Sequence, residues 1–89
     1  MILYSAGILK RGNKGGLPER ILLQFHHCFQ AIEKVGDMSI FDVKQNRGEF
    51  DRTYYRLRKG QYRALFFFEK SDIRVVTLEH RSEVYRQWP

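Results

Sequence analysis

Residues 54–80 read YYRLRKGQYRALFFFEKSDIRVVTLEH, and this stretch decides the fold. Three runs rich in aromatic and β-branched residues, 54–59, 62–69 and 73–80, are separated by short turn-forming segments. The first turn is Gly60-Gln61, a two-residue loop of the kind that closes a β-hairpin. The second turn is the polar segment 70–72. We therefore predict three consecutive antiparallel strands.

The first hairpin determines which side chains share a face of the sheet. A two-residue loop at 60–61 sets Arg58 opposite Arg63 and Arg56 opposite Leu65, and side chains alternate between faces along each strand. The three arginines therefore share one face, which we call the arginine face. The opposite face is expected to pack against a helix and carries Tyr55, Leu57, Ala64, Phe66 and Phe68.

The second hairpin extends this prediction to the last strand. A two-residue turn at Ser71-Asp72 sets His80 beside Arg63. The same register places four apolar residues on the arginine face, namely Leu65, Phe67, Val76 and Leu78. An exposed apolar patch of this kind usually marks an interface, so we predict that a partner covers it.

An amphipathic helix precedes the hairpins. Apolar residues recur at helical spacing over 17–35, Pro18 suits the first helical turn, and Gly36 is a typical C-terminal stop. The stripe expected to face the sheet consists of Ile21, Phe25, Cys28, Ile32 and Val35, with Leu22 and Phe29 flanking it. Segments 1–5 and 40–44 are candidate short strands. We predict one α+β domain, 1–89, with a small antiparallel β-sheet and one or two N-terminal helices packed on one face.

The charge balance points to a polyanionic partner. Sixteen Lys and Arg against ten Asp and Glu give a net charge of +6, which favours nucleic acid first and an anionic membrane second. The single cysteine cannot form an internal disulfide, and no apolar run is long enough to span a bilayer. The first residues lack the pattern of a signal peptide, so we expect a cytoplasmic protein. The glycine-rich segment 7–16 lacks the P-loop spacing and is interpreted as a mobile basic loop.

The candidate chemical site is a group of basic and proton-transferring residues. Guanidiniums gathered on one sheet face repel one another, and a bound phosphate would relieve that repulsion through bidentate hydrogen bonds. The alternative is a solvated basic face paired with Glu49, Asp51 or Glu69. The residues of the candidate site are Arg56, Arg58, Arg63, His80, Arg81 and Tyr85.

Other clusters are better explained structurally. His26, His27 and Cys28 are helix neighbours pointing about 100° apart, so they cannot share one metal ion. The run 66–68 of three phenylalanines is interpreted as a buried central strand rather than a base-stacking platform. The acidic residues show no metal-ligand spacing, and we predict no metal and no cofactor.

Two motifs resemble a known family. Residues 55–63, YRLRKGQYR, followed at 80–85 by HRSEVY, resemble the RelE/ParE superfamily of bacterial toxins, and the RelE-like branch in particular. The resemblance implies a small antiparallel sheet with helices on one face. It also implies an mRNA interferase, a metal-independent endoribonuclease that acts commonly at the ribosome. In such enzymes the 2′-hydroxyl attacks the adjacent phosphate, which usually leaves a 2′,3′-cyclic phosphate.

The resemblance also implies roles for individual residues. Arg56 and Arg58 match basic residues held against the scissile phosphate, and Arg63 matches the arginine that stabilises developing charge. Arg81 matches a further basic residue, and Tyr85 a tyrosine near the reacting nucleotide. Because arginine is a poor general base, proton transfer would fall to His80 or Tyr85. We assign RNA-backbone contacts to four more basic residues: Lys44, Arg47, Arg52 and Lys59.

The expected partners follow from the same resemblance. They are mRNA, the ribosome and a RelB-like antitoxin, with operator DNA contacted only through the antitoxin and no membrane. An acidic, amphipathic antitoxin segment would complement the basic face and cover Leu65, Phe67, Val76 and Leu78. Two alternatives stay open: a ParE-like inhibitor of DNA gyrase, and an inactive homologue that acts only as a co-repressor partner.

Overall fold

A computed structural model describes residues 1–8, 18–39, 41–45 and 52–80 of the chain. The five strands are β1 (Ile2–Tyr4), β2 (Val43–Gln45), β3 (Tyr55–Lys59), β4 (Tyr62–Glu69) and β5 (Asp72–His80). One helix, α1, spans Glu19–Val35, and residues 6–8 after β1 are also helical. The α+β class is confirmed. Of the glycine-rich segment 7–16, only residues 7 and 8 are described. Both are helical and Ile8 is buried, so the predicted mobile loop does not begin there.

The sheet is mixed rather than purely antiparallel. Its strand order is β1-β5-β4-β3-β2, so the three predicted hairpin strands form its centre and the two short strands form its edges. The pairs β2–β3, β3–β4 and β4–β5 are antiparallel, whereas β1 pairs parallel with β5. The parallel strand corrects the prediction of an antiparallel sheet. β1 and β5 are joined by no hairpin turn, since the helix and three strands lie between them in sequence, and this long connection permits a parallel pair.

Helix α1 packs its apolar stripe against one face of this sheet. The buried helix residues are Ile21, Phe25, Cys28, Phe29 and Ile32, and they join Leu57, Ala64, Phe66, Ile73, Val75 and Leu78 in one core. Two details differ from the prediction. Phe29 is fully buried rather than flanking the stripe, and Val35 is 65% exposed because it lies at the helix end. Gly36 ends the helix as predicted, in the left-handed conformation at φ 78°.

The β3–β4 hairpin has the predicted register. Arg58 lies opposite Arg63 and Arg56 opposite Leu65, and Gly60 takes the positive φ of 61° that this tight turn requires. Arg56, Arg58 and Arg63 therefore share the face opposite α1. Leu57, Ala64 and Phe66 lie on the helix face, within the core.

The predicted register of the β4–β5 hairpin is wrong. The turn is Lys70-Ser71, because Glu69 pairs with Asp72, and Lys70 adopts φ 58° there. A β-bulge then shifts the pairing by one residue between Phe66 and Leu65, so that Arg63 lies opposite Glu79. His80 pairs with Tyr62 instead of lying beside Arg63. Since Tyr62 packs against the core, His80 lies on the helix side of the sheet.

The same shift removes most of the predicted apolar patch. Leu78 pairs with Ala64 and is 1% exposed within the core, so it cannot bind a partner on the arginine face. Leu65 lies on the arginine face but is fully buried. Only Phe67 and Val76 of the four predicted residues are partly exposed. The predicted antitoxin-binding patch is therefore much smaller than expected.

Candidate functional site

The arginine face carries three rows of side chains that run across the strands. The first row is Asp42, Arg58, Arg63 and Glu79, the second is Lys44, Arg56, Leu65 and Thr77, and the third is Tyr54, Phe67, Arg74 and Leu3. Each row combines residues from neighbouring strands because side chains directly opposite one another share a face. Charge is concentrated in the first two rows, and aromatic and apolar groups lie in the third.

A small pocket opens between the first two rows. Its volume is about 70 Å³. It is lined by one anion, Asp42, and by four cations: Lys44, Arg56, Arg58 and Arg63. Like charges directly opposite one another on a sheet are destabilising, and Arg58 and Arg63 are such a pair. A bound anion would offset this repulsion and accept several charge-assisted hydrogen bonds. We call this site the basic pocket.

Asp42 and Arg58 form an ion pair at the edge of the basic pocket. The Arg58 Nε lies 2.5 Å from Asp42 Oδ2, and the Arg58 backbone N–H donates to the Asp42 carbonyl at 2.9 Å. The two side chains are 58% and 37% exposed, so water screens the pair and its contribution to stability is small. The Asp42 carboxylate therefore partly neutralises Arg58 at this edge of the pocket.

Arg63 occupies the most buried position of the basic pocket. It is 6% exposed, its Nη1 donates to the Tyr62 carbonyl at 3.3 Å, and Glu79 directly opposite is 8% exposed. Buried charges are retained only when other charges or hydrogen bonds compensate them. Arg63 therefore forms the buried floor of the pocket, with Glu79 opposite it on the neighbouring strand, and Arg56 and Lys44 form the more exposed rim.

The predicted site residues separate into three groups. Arg56, Arg58, Arg63 and Lys44 are together in the basic pocket. Arg52 lies farther along the arginine face, over Phe67. Lys59 and His80 lie away from the basic pocket and from Arg52, because each pairs with Tyr62 on the helix side. Three predicted residues lie outside the described part of the chain: Arg47, Arg81 and Tyr85.

Sequence reasoning missed both carboxylates of the first row. Of the carboxylates considered as arginine partners, Glu69 instead pairs with Arg52 and Arg74, and Glu49 and Asp51 lie outside the described residues. Asp42 meets Arg58 through the β2–β3 pairing, which no short turn specifies. Glu79 meets Arg63 through the bulge. Neither contact leaves a local signal in the sequence.

The helix histidines and cysteine have separate surroundings. The Tyr4 hydroxyl and His26 Nδ1 are 2.8 Å apart, and burial raises the pKa of Tyr4 to about 12. Cys28 is buried, and burial raises the pKa of its thiol, while the nearby Lys59 charge partly opposes that shift. His27 is exposed. In the described segments, no helix is both long and apolar enough to cross a membrane.

Comparisons with known proteins identify the fold. No protein-family model and no curated protein sequence matches this chain. A chain of the RelB-RelE antitoxin-toxin complex from Methanococcus jannaschii superposes with a TM-score of 0.72 at 20% identity, covering 98% of this chain and 99% of that one. A chain of the archaeal RelE-RelB complex from Pyrococcus horikoshii OT3 gives 0.68 at 23% identity, with 90% and 92% covered. The chain therefore shares its fold with a component of RelE-RelB complexes.

Proposed function

We propose that this protein is a RelE-like toxin that cleaves mRNA without a metal ion and is neutralised by an antitoxin. The observation that carries the proposal is the basic pocket, in which Lys44, Arg56, Arg58 and Arg63 converge from three adjacent strands. The sequence motif at 55–63 supplies these three arginines. The fold is that of a chain from RelE-RelB complexes.

The chemistry suited to such a pocket is transesterification at an RNA phosphate. The 2′-oxygen forms a bond to phosphorus, the bond from phosphorus to the 5′-oxygen breaks, and a 2′,3′-cyclic phosphate results. Negative charge builds up on the phosphoryl oxygens in the transition state, and fixed cations placed around those oxygens lower its energy. In our proposal Arg56 and Arg58 hold the phosphate, and the buried Arg63 stabilises the added charge.

The reaction also needs one group to accept the 2′-hydroxyl proton and one to protonate the leaving 5′-oxygen. His80 lies on the helix side of the sheet, away from Arg63, so it is poorly placed for either step. We therefore assign proton transfer to Tyr85, on the strength of the motif at 80–85. Arg81 is proposed, from the same motif, to contribute a further positive charge to the site.

Mapping of transcript ends tests the proposal. Brief expression of the wild-type protein should produce new 5′-hydroxyl ends inside coding sequences, and Arg56→Ala should reduce them by a factor of roughly 10² or more. The control is Arg20→Ala, which removes the same charge from an exposed position on α1 and should leave cleavage unchanged. Equal cleavage by the two variants would contradict the proposal. Wild-type toxicity without new ends, but with inhibited DNA gyrase, would support the ParE-like alternative.

The proposed absence of a metal has its own test. In a translation extract programmed with one mRNA, cleavage by the purified protein should persist when Mg²⁺ is replaced by a polyamine that keeps the ribosome assembled. The chemistry assigned to Arg63 and Tyr85 requires only protein groups and the RNA's own hydroxyl. Loss of cleavage that returns in proportion to added Mg²⁺, with ribosomes intact throughout, would contradict a metal-free mechanism.

The proposed partner is an acidic antitoxin segment. Carboxylates directed at Arg56 and Arg58 would compete with RNA phosphates for the basic pocket, and charge steering would make association fast and salt-sensitive. The remaining apolar contacts on the arginine face, around Phe67 and Val76, would slow dissociation. A synthetic acidic amphipathic peptide from the neighbouring reading frame should therefore inhibit cleavage, and Arg56→Ala should weaken its binding.

A further inference from the structure

We propose that Arg52, Tyr54 and Phe67 form a nucleobase-binding subsite beside the basic pocket. The inference rests on the proposed function, since it assigns a second part of the same RNA-binding face. We call these three residues the stacking cluster. Its ligand would be an unpaired base, bound through its flat face, in a nucleotide whose phosphate occupies the basic pocket.

The contacts within the stacking cluster resemble those that proteins use to hold bases. The Arg52 guanidinium lies over the Phe67 ring, with Cζ 4.3 Å from the ring centroid. Tyr54 meets the same ring edge-on, with centroids 5.6 Å apart and an interplanar angle of 81°. Arginine planes and aromatic rings are the two groups on which unstacked bases of single-stranded RNA pack.

The arginine of the stacking cluster belongs to a small group of ion pairs. Glu69 accepts from Arg74 at 3.2 Å and lies 3.8 Å from Arg52, and all three side chains remain between 42% and 47% exposed. A carboxylate shared by two arginines limits the rotation of both. Arg52 thus covers Phe67 and is itself 42% exposed.

Room for a base exists beside Phe67. A cavity of about 240 Å³ is lined by Leu3, Tyr4, Ser5, Phe67, Arg74, Val75 and Val76. It combines apolar walls with one guanidinium, and this composition suits a heterocycle that is flat and weakly polar. Phe67 is only partly buried, whereas Phe66 before it is fully buried. Phe67 therefore lines this cavity, whereas Phe66 packs into the core.

The position of the cluster relative to the basic pocket favours RNA over a protein ligand. Tyr54 precedes Arg56 by two residues on the same face, a separation of about 7 Å along an extended chain. One nucleotide spans such a distance between its phosphate and its base. Lys44 and Arg56 line the basic pocket and Arg74 lines the cavity beside Phe67, so cations lie at both places, and this favours a ligand that carries a phosphate at each step.

The test compares two neighbouring phenylalanines in the full chain. Phe67→Leu removes the aromatic ring from the cluster but keeps an apolar side chain. Phe68→Leu makes the same change one residue later, where the side chain is 42% exposed and lies against Tyr55 and Phe66 on the helix face. The probe is a short single-stranded RNA with 2′-O-methyl groups, which prevent cleavage. It carries 2-aminopurine, whose fluorescence falls when the base stacks.

We expect the wild-type protein and Phe68→Leu to quench the probe and bind it equally. Phe67→Leu should bind roughly 5- to 150-fold more weakly, the range for loss of one stacked base, and should not quench. The salt dependence of its binding should be unchanged, because no phosphate contact is lost. Equal affinity and quenching in both variants would overturn the subsite. If Phe67→Leu and Arg56→Ala both left binding unchanged, the subsite and the proposed function would both fail. If only Arg56→Ala weakened binding, the subsite would fail and the proposed function would stand. Failure of the wild-type protein to bind the probe would overturn both.

Discussion

Asp42 is the residue whose role is least expected on a face proposed to bind RNA. Its carboxylate pairs with Arg58 in the basic pocket and would therefore compete with a phosphate for that guanidinium. We expect Asp42→Asn to bind single-stranded RNA up to about 5-fold more tightly, because an exposed ion pair is worth about 0–1 kcal/mol. The backbone hydrogen bond from Arg58 to residue 42 would remain. The measurement is RNA affinity at fixed salt.

The control for this variant is Asp37→Asn, which makes the same charge change in an exposed loop before β2. It should have the affinity of the wild-type protein apart from a small effect of net charge. If Asp42→Asn bound RNA more weakly than this control, the carboxylate would serve to orient Arg58 for binding, and the competition would be refuted.

Tyr4 provides a pH-dependent prediction at the same scale. Burial raises the pKa of Tyr4 from 10.0 to about 12, so the folded state holds this proton more tightly than the unfolded chain. The resulting stabilisation is complete below pH 10 and is lost as the pH rises towards 12. Urea unfolding should therefore show a steeper alkaline loss of stability in the wild-type protein than in Tyr4→Phe. Parallel slopes in the two proteins would show that Tyr4 is not responsible.

At the level of elements, the two hairpins show what a sequence can and cannot predict. The β3–β4 register was predictable because Gly60 permits a tight two-residue turn, and the turn sets every pair that follows. The β4–β5 register was not, since the bulge inserts one residue in the middle of a strand. Because of that residue, Leu78 and His80 lie on the helix side and Glu79 lies on the arginine face, the reverse of the prediction. Leu78 packs into the core as a result.

The end of α1 gives an element-scale prediction about glycine. Gly36 has φ 78°, its N–H donates to the Ile32 carbonyl at 2.7 Å, and an added Cβ would meet no atom within 4 Å. Gly36→Ala should therefore cost about 1–2 kcal/mol of unfolding free energy from backbone conformation alone. Gly7→Ala is the matched comparison, because Gly7 has equally free space but helical backbone without positive φ. That variant should gain up to about 1 kcal/mol. Opposite signs in thermal or urea unfolding are expected, and equal signs would contradict the conformational explanation.

Across the whole molecule, the basic pocket is a product of long-range pairing. The three arginines lie within nine residues of sequence and could be placed together from the hairpin alone. Lys44 and Asp42 join them only through the β2–β3 pairing, and Glu79 only after the bulge. The hairpin alone therefore predicts where the arginines lie, but the net charge around them depends on the pairing of the complete sheet. For the same reason Arg63→Ala is a poor test of function, since it would leave the buried Glu79 facing a cavity.

The net charge of +6 leads to a prediction about how the whole protein responds to salt. If Lys44, Arg56 and Arg58 each contact a phosphate, the logarithm of RNA affinity should fall with the logarithm of salt concentration with a slope of roughly −2, about 0.7 per contact for a single strand. Arg56→Ala should reduce that slope by about 0.7, whereas Arg20→Ala on α1 should leave it unchanged although both lower the net charge equally. The comparison separates localised binding from general attraction of a basic protein to a polyanion. If the two variants changed the slope equally, RNA would be held by the diffuse field of the protein and not by the basic pocket. A change confined to Arg56→Ala would assign the phosphate contact to the face on which β2, β3 and β4 bring their cations together.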